Sequence, residues 1–275
     1  EQGHATAKND LGYCYEKGIG VEQSYEEASK WYLKAAEQGY DRAQTNLALL
    51  YKYGRGVKQS YIETVKWYQK AADQGYARAQ DRLGMCYDAG LGVGRSCSEA
   101  MKWFLKAAEQ GNRNSQYKAG CHYMSGNGGV QSYDEGTKWL RKAAEQNHRG
   151  AQCNLGLCYM YGKGVEQSYE EAAKWYKMAS AQQDAHAQNM LGIMYECGIG
   201  VTENLRRAVK YYHKAAKKGL DAAQYNLGLC YQEGIWVDQD LRDALKWFKL
   251  AAEQGHEEAK QKVQEIEKLV KQQAQ

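Results

Sequence analysis

The sequence repeats itself every 36 residues, and this period constrains the fold more than any other feature. A tyrosine recurs at that spacing without exception, at positions 15, 51, 87, 123, 159, 195 and 231. A glycine stands three residues before each tyrosine except the second, where Ala48 replaces it. Periods of this length are typical of arrays in which each helical or stranded unit buries its apolar face against the next copy.

Each unit carries the pattern of two helices. Ala7, Leu11 and Tyr15 share one face of a first helix. Gly18 and Gly20 then end this helix, because glycine adopts positive φ without a Cβ clash. A second helix follows a residue whose side chain accepts hydrogen bonds from the first helical N–H groups. This N-cap position holds Ser24, Ser60, Ser96, Ser132, Ser168, Asn204 and Asp240.

The start of the second helix also predicts a capping box, in which the residue three positions on is Glu. The residues at this place are Glu27, Glu63, Glu99, Glu135, Glu171, Arg207 and Asp243. Asp243 is a weaker version of the pattern, and Arg207 breaks it. Farther along this helix an aromatic stripe is expected in the core. Its tryptophans, which we expect to be largely buried at equivalent places, are Trp31, Trp67, Trp103, Trp139, Trp175 and Trp247.

The two ends of the chain keep the same register. Residues 1–3 read Glu-Gln-Gly, as residues 37–39 do, so residues 1–4 are expected to be the tail of a preceding repeat and the start a fragment boundary. Residues 1–256 then form an array of seven repeats. Residues 257–275 keep Ala259 and Val263 in register before turning polar, which predicts a C-terminal capping helix.

The repeat motif resembles that of a known family. It reads A-x-x-x-L-G-x-x-Y-x-x-G-x-G-V, followed by A-x-K-W-Y-x-K-A-A, and covers almost all 275 residues. This is similar to the Sel1-like repeat proteins, relatives of tetratricopeptide arrays. The resemblance implies an all-α, right-handed α/α solenoid of seven 36-residue helix–loop–helix repeats with a capping helix. It also implies a non-catalytic scaffold or adaptor for protein complexes.

Composition narrows the function classes. The 37 Lys and Arg residues against 33 Asp and Glu leave a net charge of +4, too balanced to indicate nucleic-acid binding by itself. No apolar run approaches the roughly 18 residues that span a bilayer. The expected partner is therefore a protein or peptide, and the sequence leaves the oligomeric state open.

The eight cysteines show no regular pairing. A branch of the resembled family staples each repeat with a cysteine pair, and this chain departs from that pattern. Four cysteines occupy one helix position that Leu50 and Met194 fill in other units, which indicates a packing site. These are Cys14, Cys86, Cys158 and Cys230, whereas Cys97, Cys121, Cys153 and Cys197 lie at four different positions. We expect reduced thiols and a cytosolic-type environment.

Catalytic and metal-binding patterns are weak. Cys121 and His122 with Cys158 lack the usual spacing of zinc ligands, so no metal or cofactor is expected. The G-x-G-V loop follows a helix rather than a strand, unlike a phosphate-binding loop. Ser115 and Lys118 match the S-x-x-K of penicillin-recognising enzymes, yet alanine fills the place of Ser115 in other repeats and no K-T-G occurs. Hydrolase or penicillin-binding activity, suggested for the cysteine-paired branch, remains the alternative function.

Partner contacts are expected where first helices vary between repeats. By analogy with tetratricopeptide arrays, first helices line the concave face. The candidate residues there are Arg42, Asn46, Lys52, Tyr53, Arg78, Arg82, Tyr117, Lys118, Asn154 and Tyr161. Guanidinium groups bind carboxylates through paired hydrogen bonds, so this face predicts a partner with an acidic segment or a C-terminal carboxylate.

A second candidate surface is the helix of repeat six. Its predicted exposed side carries a basic stripe, together with His213, and residues 204–219 contain no acid. The stripe consists of Arg206, Arg207, Lys210, Lys214, Lys217 and Lys218. Without these six charges the balance falls from +4 to −2, so the basic character of the chain is local. The stripe is either a solvated convex face or a contact for an acidic protein, an anionic membrane, nucleic acid or a neighbouring chain.

Overall fold

The computed structural model describes residues 2–273, and the side chains of residues 4–269. Of the expected tail (1–4) and capping helix (257–275), Glu1 and residues 274–275 lie outside the described residues. The chain divides into two compact units, Glu1–Gln146 and Asn147–Gln275. Each unit is described by itself.

Fifteen α-helices and no strands make up the described residues. Unit 1 contains α1 (Gln2–Lys17), α2 (Tyr25–Glu37), α3 (Asp41–Tyr53), α4 (Tyr61–Asp73), α5 (Ala77–Ala89), α6 (Cys97–Glu109), α7 (Arg113–Ser125) and α8 (Tyr133–Glu145). Unit 2 contains α9 (Arg149–Tyr161), α10 (Tyr169–Ala181), α11 (Ala185–Cys197), α12 (Leu205–Ala216), α13 (Asp221–Glu233), α14 (Leu241–Glu253) and α15 (Glu257–Gln273). Seven helix pairs and a last helix confirm the predicted α/α solenoid.

The predicted helix ends are confirmed. The N-cap Ser24 accepts a hydrogen bond from the N–H of Glu27 at 3.2 Å, and the other six N-cap residues act in the same way. At the opposite end, Gly54 closes α3 with a φ of 64°, the left-handed conformation that favours glycine. Each first helix is therefore followed by a defined loop, which fixes where its last turn lies.

The second half of the predicted capping box is wrong. The N–H of Ser24 donates to the carbonyl of Tyr15 at 2.9 Å, so the carboxylate of Glu27 is not needed there. Glu27 instead accepts from the ammonium of Lys30 at 2.6 Å. The same ion pair forms in the next four repeats, where Lys66, Lys102, Lys138 and Lys174 pair with the corresponding glutamates. The recurrent tyrosine thus anchors the loop through its backbone carbonyl.

Neighbouring repeats are joined by buried glutamines. Gln44 of α3 donates to the carbonyl of Ala36 at the end of α2, at 3.1 Å, and accepts from Gln74 at the end of α4, at 2.8 Å. This arrangement explains why a glutamine stands at the same place in the tail of six of the seven repeats. In repeat six Lys218 stands in the place of the glutamine and donates to the carbonyl of Gln183. The Oε1 atom of Gln188 is consequently buried without a partner among the described residues.

The tryptophan stripe lies in the core, with some variation. Trp67, Trp103 and Trp139 are buried. Trp31, Trp175 and Trp247 are half-buried, which still places most of each indole against protein. In four repeats a lysine one turn later lies over the indole, at 4.1 to 4.4 Å from the ring centroid. These lysines lie over the rings and add a cation–π interaction.

Candidate functional site

Within unit 1 the first helices lie side by side. The amide of Asn46 on α3 donates to Asn9 Oδ1 on α1 at 3.0 Å. The hydroxyl of Ser115 on α7 donates to Asp81 Oδ1 on α5 at 2.8 Å, and both side chains are buried. Variable first-helix positions therefore meet across helices, and they form what we call the first-helix face of unit 1. Asn46, predicted as a partner contact, is held by this internal hydrogen bond.

A group of cations lies where α3 ends beside α5. Arg78 is exposed and Arg82, one turn later, is half-buried, with its Nη1 atom 3.5 Å from the sulfur of Met85. Tyr53 is 56% exposed, and the ammonium of Lys52 lies 5.4 Å from the centroid of its ring. Neither arginine has an ion-pair partner among the described residues. We call Lys52, Tyr53, Arg78 and Arg82 the α3–α5 cluster.

The positive charges of the α3–α5 cluster affect the pKa values of two buried neighbours. Burial raises the pKa of the Cys86 thiol, and the charges of Lys52 and Arg82 oppose that rise. Burial likewise raises the pKa of the Tyr68 hydroxyl, and the charges of Arg82 and Arg78 oppose it. The cluster is therefore a region of positive potential above buried groups of α4 and α5.

Lys118 is less available to bind a partner than the cations of the α3–α5 cluster, because it lies beside a carboxylate. Its ammonium lies 3.8 Å from the carboxylate of Asp88, whose other oxygen lies 3.5 Å from Nε2 of His122. His122 is buried, and its Nδ1 lies 2.8 Å from the carbonyl of Asn127. It fills in repeat four the helix position that Cys, Leu or Met fills elsewhere, so it is a polar member of the core. The negative charge of Asp88 therefore offsets part of the positive charge of Lys118.

The remaining candidates lie at separate places. Arg42 is exposed at the start of α3, and Tyr117 is half-buried on α7. In unit 2, Asn154 is half-buried and Tyr161 is 61% exposed at the end of α9. The α3–α5 cluster therefore contains four of the ten predicted contacts of the first helices.

The basic stripe lies on the exposed side of α12. All six of its residues are exposed, opposite the buried Ala208, Tyr212 and Ala215. Arg207 is engaged locally: it lies 5.4 Å from the ring centroid of Tyr195 and donates to its hydroxyl at 3.3 Å. Lys218 is also engaged, through the carbonyl bond described above.

His213 adds no charge to the stripe near neutral pH. Burial and the neighbouring Lys217 lower its pKa from the ordinary value of 6.5. Lys214 lies 5.6 Å from the ring centroid of Tyr211. The stripe therefore presents Arg206, Lys210 and Lys217 as its least constrained cations.

The S-x-x-K serine and the cysteines are the remaining motifs considered for catalysis or metal binding. Ser115 is fully buried against Asp81, so the S-x-x-K serine is not open to a substrate. None of the eight cysteines forms a disulfide bond. Burial raises the pKa of Cys153 and of Cys230 to about 12, so both stay protonated and unreactive near neutral pH. In the part of the chain that the structure describes, no three His, Cys, Asp or Glu residues converge to hold a metal ion.

One exposed aromatic residue was not singled out from the sequence. Trp236 occupies the second glycine place of the repeat-seven loop, with a φ of 53°, and is 61% exposed. The signal was present, because Gly-x-Gly becomes Gly234-Ile235-Trp236 in this repeat alone. A tryptophan in left-handed backbone costs about 1–2 kcal/mol relative to an unstrained residue.

No helix within the described range has the length and apolar character needed to cross a bilayer. The fold just described defines a helical-repeat protein with the α/α solenoid architecture. The Sel1 repeat family model matches seven times, at residues 5–40, 41–76, 77–112, 113–148, 150–184, 185–220 and 221–256. The chain belongs to the Sel1 repeat family. Proteins of this family are generally scaffolds for protein interaction and are typically non-catalytic.

Two solved structures of Sel1 repeat proteins are similar over most of this chain. The first is c5321, a protective antigen present in uropathogenic Escherichia coli strains, with 36% identity and a TM-score of 0.87. The match covers 94% of this chain and 56% of that one, so the chain spans little more than half the length of c5321. The second, from Oxalobacter formigenes, has 31% identity and a TM-score of 0.78, covering 95% and 76% of the two chains. Comparison with curated proteins finds no match.

Proposed function

We propose that this protein is a non-catalytic scaffold that binds an acidic protein segment or a C-terminal peptide on the first-helix face of unit 1. The α3–α5 cluster is the centre of this contact. Arg78 and Arg82 bind carboxylates, while Tyr53 supplies a ring with a polar tip. Arg42 and Tyr117 extend the same face.

One observation carries this proposal: the two arginines lack carboxylate partners, whereas every second helix of unit 1 carries a lysine that has one. On the second helices of unit 1, Lys30, Lys66, Lys102 and Lys138 are each paired with a glutamate one turn earlier. Arg78 and Arg82 have no such ion pair among the described residues. Guanidinium groups without a carboxylate partner are suited to bind one from another molecule.

The basic stripe of α12 supports a second, weaker candidate contact. Its six exposed cations attract acidic surfaces, but three of them already have local partners. A lysine-rich outer helix face also serves simply to solvate the protein. We therefore place the principal contact on unit 1 and treat the stripe as an auxiliary surface.

Reversing two charges in the cluster tests the proposal. The Arg78→Glu/Arg82→Glu variant should lose at least about tenfold in affinity for a fluorescein-labelled, N-acetylated pentaglutamate peptide, because desolvated ion pairs are replaced by repulsion. Fluorescence anisotropy at low salt measures this loss. Wild-type binding should also weaken as salt rises, since exposed charges are screened within about 8 Å at physiological ionic strength.

A matched variant separates local binding from net charge. Two Arg-to-Glu reversals change the formal charge by the same amount as four neutralisations on α12. The control is Arg206→Gln/Lys210→Gln/Lys214→Gln/Lys217→Gln, which should keep most of the affinity. If the double reversal binds as wild type does and the α12 variant loses binding, the principal contact is the basic stripe and the first-helix face is wrongly assigned.

A further inference from the structure

One tyrosine position of the second helices has a recurring hydroxyl partner. In repeat one, the hydroxyl of Tyr32 donates to Glu16 Oε2 at 2.8 Å. In repeat six, Tyr212 donates in the same way to the carboxylate of Glu196. Both tyrosines are fully buried, and the first helix of their own repeat supplies the carboxylate. This pair is how the fold satisfies a buried hydroxyl at that place.

Repeat two keeps the tyrosine and replaces the carboxylate with a cation. Lys52 stands at the position of Glu16, one period later. Tyr68 is 1% exposed, and its hydroxyl has no hydrogen-bond partner among the described residues. The Nε atom of Arg82 is buried in the same unpartnered state. Two buried donors without an acceptor are unusual in a folded protein.

The surroundings of Tyr68 favour a negative charge. Arg82 and Arg78 are close enough for their charges to oppose the rise in the pKa of its hydroxyl. Lys52 turns its ammonium toward the exposed ring of Tyr53 rather than forming an ion pair. The Tyr68 hydroxyl of repeat two and the neighbouring α3–α5 cluster therefore combine unpartnered donors with positive charge that has no ion-pair partner among the described residues.

We propose that a carboxylate of the bound partner occupies, in repeat two, the place that Glu16 occupies in repeat one. This inference rests on the proposed function and specifies its central contact. Tyr68 donates to one carboxylate oxygen, and the guanidinium of Arg82 donates to the carboxylate from the α5 side. The corresponding Glu16 side chain of repeat one is 18% exposed, so this place lies close to solvent. In repeat two the Tyr68 hydroxyl and the Arg82 Nε atom are buried, and a carboxylate reaches them only when the side chains around them move. The carboxylate belongs to an acidic side chain or to a chain terminus.

Repeat five provides the internal contrast. Its Tyr176 is also fully buried with an unpartnered hydroxyl in the described part of the chain. There, however, Met160 stands at the position of Glu16. Burial raises the pKa of Tyr176, and the neighbouring groups that add to the rise are Cys153, Tyr161 and Cys158, with no cation among them. Tyr176 thus has the orphaned hydroxyl without the positive potential, and no carboxylate is expected there.

Removal of a single oxygen tests the assignment. Tyr68→Phe should fold normally, because Phe104 and Phe248 fill this position in other repeats. It should melt at the same temperature as wild type or higher, since an unsatisfied buried hydroxyl is lost. Its affinity for carboxylate peptides should fall about 10–100-fold, the range expected for a hydrogen bond to a charged group. Tyr176→Phe is the matched control and should bind as wild type does.

Two probe peptides distinguish the source of the carboxylate. One carries a single glutamate and an amidated C-terminus, and the other has a free C-terminal carboxylate and no acidic side chain. The probe that Tyr68→Phe weakens identifies the source, and weakening of both assigns the site to carboxylates generally. If Tyr68→Phe binds both probes as wild type does while Arg78→Glu/Arg82→Glu loses them, this inference is overturned and the proposed function stands. If the double reversal also binds normally, both are overturned.

A second variant places a carboxylate of the protein itself in the proposed site. Lys52→Glu restores the residue found in repeats one and six, so its carboxylate should accept the hydrogen bond of Tyr68, raise the melting temperature and abolish binding of the probes. Lys52→Gln removes the charge without supplying a carboxylate, and it should bind more weakly than wild type without the gain in melting temperature. Retention of full probe binding by Lys52→Glu would contradict the proposal.

Discussion

Trp139→Ala should lower the free energy of unfolding by about 3–5 kcal/mol, the usual cost of truncating a buried aromatic residue. The indole is only 6% exposed, and it packs against Met101, Ala108 and Ala119. These neighbours belong to the preceding second helix and to the first helix of its own repeat, so the cavity would open between repeats. The ammonium of Lys142, which lies 4.2 Å from the ring centroid, would also lose its partner.

Urea denaturation followed by far-UV circular dichroism measures this loss. The matched control is Trp236→Ala, because Trp236 is 61% exposed and its backbone remains at positive φ after the change. We expect the control to change stability by less than about 1 kcal/mol, as most exposed substitutions do. A loss below about 1 kcal/mol for Trp139→Ala as well would mean that the tryptophan stripe does not hold the repeats together.

Gly56→Ala should be nearly as damaging as the tryptophan truncation, for a different reason. Gly56 has a φ of 66°, and a Cβ atom there would lie 2.1 Å from the carbonyl oxygen of Tyr25 at the start of α2. Positive φ costs an alanine about 1–2 kcal/mol, and overpacking against the backbone adds about 1–3 kcal/mol. We therefore expect a total loss of about 2–5 kcal/mol.

Gly20→Ala separates the two costs. Gly20 occupies the same loop place with a φ of 70°, but a Cβ atom there would have no neighbour within 4 Å. Only the cost of positive φ, about 1–2 kcal/mol, should remain. Equal losses for the two variants, measured by the same denaturation, would show that the loop glycines are needed for their backbone conformation and not for the close approach between repeats.

Local rules account for most of the fold. A serine before a helix and a glycine after one act within a few residues, so the sequence predicts these helix ends directly. The capping box failed at Ser24 because its N–H meets the carbonyl of Tyr15, which belongs to the previous helix. The glutamine bridges were missed for a similar reason. Gln44 and Gln74 are 30 residues apart in the sequence, and the recurrence of a glutamine does not reveal which residue it contacts.

The candidate site was predictable in part. The variation of first-helix positions indicated the face, and Arg78 and Arg82 do lie exposed or half-buried on it. The availability of each side chain was not predictable, because Asn46 and Lys118 are held by residues of neighbouring first helices. The orphaned hydroxyl of Tyr68 was hidden as well. It becomes apparent only when the hydrogen bond of the equivalent tyrosine in repeat one is known.

The central claim is that partners bind the first-helix face of unit 1, and site-specific photocrosslinking tests it most directly. A benzoylphenylalanine is placed either at Tyr53, on that face, or at Ile62, which is 71% exposed on the second helix α4. Both sites are open, so reactivity alone does not distinguish them. In the native cell we expect a crosslinked partner from position 53 that Arg78→Glu/Arg82→Glu removes, and none from position 62. A partner captured from position 62 and not from position 53 would contradict the claim.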